Sequence, residues 1–408
     1  MLDIEAPSID SARMRRAGRE LLSLALMDSR NHTLRWVAAF EQALATPDLA
    51  VPQQNDLSPP LWEVGHLGWF QERWIARNVQ RQRGARCDPS QSRLPSILSD
   101  ADRCYDPAEV SHAMRWKVEL PDLQATRQYL VDTFETTLEL LESTPEDDDD
   151  ALYFYRLALF HEDLRGERFA QMSQTLGFES GLLGSPAALN PRDALLFPAT
   201  RWPLGCEPGG FVFDNEKWVH DVHVPEFEID AQPVSWQQFA EFVEDGGYDQ
   251  AEFWHPQGWQ WLQREQRRCP RHVDQMRHGV LAQRFGKLMR VPMAQPAMHL
   301  SWYEADAWCR WAGRRLPSEV EWEAAAHQGA SRGFRWGDVW EWTATTFRPY
   351  PGFVAGPWRD YSQPAFGAQR VLRGASFATR SRVRSAKFRQ FAPPEHDDLF
   401  CGFRSCAL

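Results

Sequence analysis

Two histidines in the first half of the chain stand on helical segments that turn both side chains inward. His66 shares a helix face with aromatic residues, and His161 shares one with apolar residues. Neutral imidazoles on two helices are the start of a metal site, because imidazole nitrogen is a good ligand for iron, copper or zinc. The other interpretation is that both are core histidines whose ring nitrogens bond to neighbouring groups.

A catalytic metal site needs a third protein ligand, and the natural place for it is four residues after His161, one turn along the same helix face. Arg165 stands there. A guanidinium has no lone pair to donate, and its charge repels a cation. The acidic residues at 162, 163 and 167 are rotated away from His161, so His32 on the first predicted helix is the remaining candidate for a replacement ligand.

Helical segments position these residues. Apolar spacing predicts helices over 17–46, 57–78, 122–144 and 151–176, with Ser58 as the cap of the second. The acidic run 146–150 precedes the fourth helix, where it favours the positive end of the helix dipole rather than a metal ion. Helices joined in this way predict a bundle whose ligand sites are built from inward-facing side chains.

The second half of the chain differs from the first in tryptophan content and in the length of its regular segments. Of 19 tryptophans, 5 lie in residues 1–195 and 14 in residues 196–408. After residue 209 short segments alternate with turns, and helical spacing is confined to three stretches: 235–245, 302–314 and 317–327. We therefore predict an α+β protein with two domains, 1–195 and 196–408, joined through the glycine- and proline-containing stretch 180–200.

Composition argues against several classes of protein. Lysine and arginine number 45 against 56 aspartates and glutamates, a net charge of −11, which disfavours general binding to nucleic acid or anionic membranes. No apolar run approaches the roughly 18 residues that span a bilayer. The first ten residues lack the pattern of a signal peptide. The 7 cysteines lack the paired spacing of a zinc site, so we expect reduced thiols and a cytoplasmic protein.

Ordered sequence strings in the second half carry a family resemblance. They are FVFDNEKW, PVSWQQFAEFVEDGGY, LSWYEADAWCRWAGRRLPSEVEWEAAA, GDVWEWTATTFRPYPGF, RVLRGASFA and CGFR. Together they resemble the domain shared by formylglycine-generating enzymes and ergothioneine-pathway sulfoxide synthases, a modified C-type-lectin-like fold. In the first half, LSPPLWEVGHLGWFQERW and LALFHEDLRGE resemble the DinB-like four-helix bundle that precedes this domain in the sulfoxide synthases.

The resemblance implies an iron site. The sulfoxide synthases bind iron through three histidines, of which the first matches His66 and the other two belong to an HxxxHxE motif. That motif overlays His161, Arg165 and Glu167, so two of the three ligands match and Arg165 stands at the third. The resemblance therefore implies Fe(II) as cofactor and O2 as co-substrate. It implies hercynine, the trimethylated betaine of histidine, as substrate.

A second set of residues concerns the other substrate. The string RCYDPAEVSHAMRW, followed by ELPD, resembles the selenoneine synthases, which transfer selenium from a selenosugar to hercynine. Sulfoxide synthases that use γ-glutamylcysteine hold it partly through an aspartate and an arginine before the final GFR, where Ala392 and His396 stand here. Without these two charged residues, a selenium or sulfur donor that carries no charge is favoured. We expect C–Se bond formation with a selenosugar, and C–S sulfoxide synthesis from a thiol is the alternative.

Aromatic residues in the loop after PGF are candidates for substrate contact. The sulfoxide synthases carry a Y-x-x-Y pair there, and Trp358 and Tyr361 match its two positions. Tyr361 is the candidate proton donor, whereas Trp358 can stack but cannot act as an acid. Trp358 and Phe391 can enclose a trimethylammonium group, and Arg389 is the candidate for the substrate carboxylate. The other interpretation is that the aromatic residues only pack the loop.

Other residues of these strings are assigned to folding, because the strings recur in family members with unrelated substrates. They are Arg373, Arg404, Trp322, Trp340 and Trp342.

Two further functions remain open. Arg165 favours a hercynine-binding protein with an impaired metal site. A copper-dependent formylglycine-generating oxidase is the other alternative. The cysteine pair of that family lies before the final GFR, and residues 379–400 contain no cysteine.

Overall fold

Four long helices and one short helix make up the first half of the chain in the computed structural model, which describes residues 8–408. They are α1 (Arg19–Leu44), α2 (Pro60–Trp74), α3 (Ala101–Tyr105), α4 (Leu123–Glu142) and α5 (Asp149–Leu176). The long helices confirm the predicted bundle. Residues 1–7, most of the acidic N-terminal segment, lie outside the described residues.

The starts of α2 and α5 are set by local sequence. The acidic run lies at the N-terminus of α5, as predicted, and Asp148 in addition caps the helix by accepting hydrogen bonds from two backbone N–H groups of the first turn. The predicted cap of α2 is wrong. Pro59 occupies the cap position, while Ser58 Oγ accepts a hydrogen bond from Arg115 at 3.2 Å.

Short strands and helices alternate in the second half, which confirms the α+β class. The strands are β1 (Leu195–Phe197), β2 (Thr200–Leu204), β3 (His220–Val224), β4 (Phe227–Ile229), β5 (Val273–Gln275), β6 (Val280–Arg284), β7 (Lys287–Val291), β8 (Trp340–Thr346), β9 (Arg370–Gly374), β10 (Gln390–Ala392) and β11 (Cys401–Phe403). The helices are α6 (Trp236–Glu244), α7 (Pro256–Glu265), α8 (Trp302–Trp311) and α9 (Glu319–Gln328).

Helix α7 was missed in the sequence because it is short and mostly polar, with only Gly258, Trp261 and Leu262 buried. Its start signal is nevertheless present. The His255 side chain accepts a hydrogen bond from the backbone N–H of Gln257, and Pro256 follows at the first helical position.

The largest sheet holds the buried tryptophans of the second half. Its strand order is β10-β9-β8-β11, with β8 antiparallel to β9 and parallel to β11. Trp340 and Trp342 of β8 are almost fully buried, as is Trp322 of α9. Arg404 donates to both carboxylate oxygens of Glu341, at 2.5 and 2.7 Å. The folding role predicted for these residues is confirmed.

Acidic residues on α5 join the two halves of the chain. Asp163 accepts hydrogen bonds from Arg382 at 2.6 and 2.9 Å. Glu167 accepts from Trp340 Nε1 at 2.8 Å, from Ser376 Oγ at 2.6 Å and from Thr379 Oγ1 at 2.7 Å. A buried charge is costly unless it is paired and hydrogen-bonded, so these contacts fix how α5 is rotated against the second half.

Two expectations from composition concern membranes and cysteines. None of the helices within residues 8–408 combines the length and apolarity required to cross a bilayer. All seven cysteines lie in the part of the chain that the structure describes, and each is a free thiol.

We predict that Arg382→Met lowers the free energy of unfolding by about 3–5 kcal/mol, because it leaves the buried Asp163 carboxylate without its arginine. Urea denaturation measures the loss. Arg264→Met is the matched control, since Arg264 is exposed and pairs with its neighbour Glu265, and it should change stability by less than about 0.5 kcal/mol. Equal effects of the two substitutions would contradict the interface role of Arg382.

Candidate functional site

A cavity of about 330 Å³ lies between α2, α5 and the loop 357–360 of the second half. Its aromatic wall consists of Trp69, Phe70, Trp74 and Trp358. Its arginines are Arg73, Arg115, Arg165 and Arg359. His66 also lines it, because helical spacing places His66 on the α2 face of Trp69 and Phe70.

The two predicted histidines meet beside this cavity. Their ring centroids are 5.3 Å apart, and both side chains are buried. His66 Nδ1 lies 3.0 Å from the carbonyl oxygen of Tyr105, a contact in which the nitrogen must donate, so His66 Nε2 keeps its lone pair. His161 stacks on Phe70 at 3.7 Å, and its buried Nε2 has no hydrogen-bond partner among the described residues.

Both histidines are neutral at physiological pH. Burial, followed by the positive charge of Arg165, lowers the pKa of His66 from 6.5 to about 3. The same two causes hold the pKa of His161 well below its ordinary value. Each ring therefore presents a lone pair rather than a charge.

Arg165 is fixed by a carboxylate that sequence reasoning missed. Its Nη1 donates to Glu63 Oε2 at 3.0 Å, and Arg115 Nη1 donates to Glu63 Oε1 at 3.2 Å. Burial opposes ionisation of Glu63, but the two guanidiniums outweigh it and lower its pKa to about 2. Glu63 precedes His66 by three residues on the same helix face, a spacing that offered a signal in the sequence.

The residues around the histidines do not complete the three-histidine iron site that the resemblance implies. His32 Nε2 accepts a hydrogen bond from Trp36 at 3.0 Å and lies against Gly166 rather than in the cavity. Within residues 8–408 no three His, Cys, Asp or Glu side chains are grouped so that they could hold a metal ion. Two imidazoles are available, but the third position holds a cation paired to Glu63.

The loop after PGF brings Trp358 to the histidines. The Trp358 ring lies 5.0 Å from Phe70 and 5.3 Å from His161, measured between centroids. The Tyr361 ring lies 4.7 Å from Trp358 and does not line the cavity, and its buried hydroxyl has no hydrogen-bond partner among the described residues. Burial raises the pKa of Tyr361 well above 10, so the phenol keeps its proton.

Asp214 anchors this loop and was not found from the sequence. Its carboxylate accepts hydrogen bonds from Ser362 Oγ at 2.7 Å and from the backbone N–H of Gly356 at 3.4 Å. These two residues flank Trp358 and Tyr361. The loop is therefore held at both ends by one side chain.

Two other predicted site residues lie away from the histidines. Phe391 stacks on Phe347 at 4.2 Å and approaches the site only through Tyr361, at 5.6 Å. Arg389 donates to both oxygens of Glu319, at 2.8 and 2.9 Å. Its third nitrogen donates to a backbone carbonyl at 2.7 Å, and the side chain is buried. Arg389 is therefore a structural residue, because its donors are already used within the fold.

The segment before the final GFR carries charge. Ala392 is buried in β10, whereas His396 Nδ1 lies 3.3 Å from Asp398. Asp398 also accepts a hydrogen bond from Arg168 of α5 at 2.8 Å. This segment therefore carries an ion-paired cluster directly before the final GFR, next to the two positions on which the prediction of a neutral donor rests.

Comparisons with known proteins cover both halves. Residues 25–174 match the DinB superfamily, and residues 190–338 and 335–407 match the sulfatase-modifying factor enzyme 1-like domain. A hercynine oxygenase of Mycobacterium tuberculosis is 32% identical over 439 residues, which cover 94% of this chain and 98% of that protein. A hercynine oxygenase of Mycolicibacterium smegmatis is 31% identical over 450 residues, which cover 95% and 98%.

A third relative matches only part of the chain. The formylglycine-generating enzyme of Streptomyces coelicolor is 31% identical over 166 residues, which cover 28% of this chain and 52% of that protein. The similarity to the hercynine oxygenases therefore covers nearly the whole chain. The similarity to the formylglycine-generating enzyme covers less than a third of it.

We predict that Arg165→Met raises the pKa of His66 and of His161, because it removes the positive charge that disfavours both imidazolium forms. Ring-nitrogen NMR shifts followed from pH 7 downward measure the change, and both rings of the unaltered chain should remain neutral at pH 5. Arg359→Met, which removes an equal charge from the cavity rim, is the control. Unchanged histidine pKa values in Arg165→Met would contradict the assigned cause.

Proposed function

The chain belongs to the hercynine oxygenase family, and on that premise we propose that it takes hercynine as substrate and oxidises it in a sulfoxide-synthase-like reaction. The observation that carries this proposal is the meeting of His66, His161 and Trp358 at one cavity between the two halves. Hercynine has an imidazole, a carboxylate and a trimethylammonium group. The cavity offers aromatic faces and guanidinium groups, which are partners for both of its charges.

The side chains of the cavity have distinct proposed roles. Trp358 contacts the trimethylammonium group, and the lone pairs of His66 and His161 face the region of the substrate imidazole. Tyr361 is a proton donor rather than a base, because burial keeps its phenol protonated. Asp214 positions Trp358 and Tyr361 by holding their loop.

Iron(II) and oxygen dependence is part of the proposal, with His66 and His161 as the protein ligands. It rests on the family and on two neutral imidazoles. Arg165 is the feature that it does not explain, because the chain lacks a third histidine at that position.

The identity of the selenium or sulfur donor is a further part of the proposal. A selenosugar that forms a C–Se bond follows from the loop resemblance and from Ala392 and His396. A thiol that forms a C–S bond is the alternative, and the Asp398–Arg168 pair favours it by restoring charge next to that segment. Product analysis with each donor decides between them.

A second candidate function is binding of hercynine without oxidation. The Arg165–Glu63 ion pair favours it, because a permanent cation beside two imidazoles weakens metal binding. A copper-dependent formylglycine-generating oxidase has less support, since that relative matches only 28% of the chain.

We predict that Arg165→His increases the amount of iron(II) retained under anaerobic conditions at least tenfold, because it supplies the third imidazole. Metal analysis with and without hercynine measures the gain, and Arg165→Lys is the control that changes the side chain without adding a ligand. Turnover of hercynine by the unaltered chain with iron, oxygen and a donor supports the enzyme. Hercynine binding without iron or turnover supports the second candidate, and absence of hercynine binding contradicts both.

We predict that Tyr361→Phe lowers the rate of product formation at least tenfold and leaves hercynine affinity within about twofold, because it removes a proton donor and keeps the ring. Single-turnover kinetics and calorimetry separate the two effects. Ser362→Ala is a control for loop position, since it removes a hydrogen bond to Asp214 and should weaken affinity as well. An unchanged rate in Tyr361→Phe would exclude the proton-donor role.

A further inference from the structure

Arg115 and Arg165, here called the arginine pair, carry one positive charge more than the carboxylate they share. They share one carboxylate, because Arg165 bonds to one oxygen of Glu63 and Arg115 to the other. Two guanidiniums against one carboxylate give this group a net charge of +1. Both arginines line the cavity, with 25% of the Arg165 side chain and 14% of the Arg115 side chain exposed. The cavity lining also holds Asp106, which pairs with Arg73, and Asp360.

The arginine pair also has unused hydrogen-bond donors. Arg115 Nε is buried and has no partner among the described residues. Arg165 donates a single side-chain hydrogen bond within residues 8–408, although a guanidinium carries five N–H groups. Unsatisfied donors that carry charge favour an anionic acceptor, and a carboxylate matches a guanidinium in geometry.

Most aromatic faces around the cavity already have a partner. Arg115 lies 3.8 Å from the ring centroid of Trp62, Arg73 lies 5.0 Å from that of Trp69, and Arg93 lies 4.8 Å from that of Trp74. One face of Phe70 is covered by His161. Among the tryptophans of the described cavity wall, Trp358 is the one without a cation contact.

We propose that the arginine pair binds the carboxylate of the substrate, so that the residue in place of a metal ligand serves as an anion receptor, while the quaternary ammonium group lies on Trp358. The inference rests on the proposed function in taking hercynine as the ligand. The ligand class is a betaine, whose opposite charges require partners at two places. The arginine pair and Trp358 line the same cavity, so binding one charge at each of them would fix the orientation of the ligand.

Glu63 has a defined part in this recognition. It holds both guanidiniums at the cavity and neutralises half of their charge, so a carboxylate ligand meets a pre-positioned site with a net attraction. The binding needs no metal ion. It can therefore be measured in the presence of a chelator, apart from any turnover.

The test is isothermal titration calorimetry in chelator-treated buffer with two probes, hercynine and N,N,N-trimethylhistamine, which lacks the carboxylate. For Arg165→Met we expect the Kd of hercynine to rise tenfold to a hundredfold, while the Kd of N,N,N-trimethylhistamine changes by less than threefold. Arg165→Lys should show an intermediate loss, because it keeps the charge and loses the fork of donors. Arg264→Met, which removes an exposed arginine that does not line the cavity, is the control and should leave hercynine affinity within twofold.

The possible changes in Kd separate this inference from the proposed function. Equal losses for both probes in Arg165→Met, with the fold intact by circular dichroism, would overturn the carboxylate assignment and leave the proposed function standing. Full retention of hercynine affinity in that variant would do the same. Failure of the unaltered chain to bind hercynine in chelator-treated buffer would overturn this inference, and failure to bind it with iron(II) restored would overturn the proposed function as well.

Discussion

The pairing of buried charges on α5 is the constraint on which the rest of the structure depends. Most residues of this helix are buried, and a charge removed from water destabilises the fold unless an oppositely charged or hydrogen-bonding partner meets it. Glu162 bonds to Arg30 within the bundle, whereas Asp163 and Glu167 bond to side chains of the second half. These partners fix the rotation of α5 about its own axis. In this rotation His161 and Arg165 face α2.

Arg165 belongs to the same pattern of pairing. Its partner Glu63 lies on α2, one turn before His66, so the ion pair ties the two histidine-bearing helices together beside the cavity. The residue at the position where the resemblance implies a third metal ligand is thus paired with a buried carboxylate. The consequence for function is that Arg165 and Arg115 together carry one positive charge more than Glu63, which opposes a cation in the cavity and attracts an anion.

Periodicity was enough to predict the bundle, since long amphipathic helices repeat their pattern over many turns. It was also enough to place His66 and His161 on inward faces. The partners of Arg389 and Arg165 could not be predicted, because Glu319 and Glu63 lie 70 and 102 residues away in sequence and come close only in the folded chain. Ser58 shows the same limit at short range, since its hydroxyl bonds to Arg115 and not to the helix that follows it.

Hercynine is proposed to lie between Trp358 and the arginine pair, and a crystal structure of the complex with hercynine tests this placement directly. It should show the carboxylate within hydrogen-bond distance of Arg165 or Arg115 and the trimethylammonium group over the Trp358 ring. Hercynine bound outside this cavity would contradict the account. The reverse orientation, with the ammonium group beside Arg165, would contradict it as well.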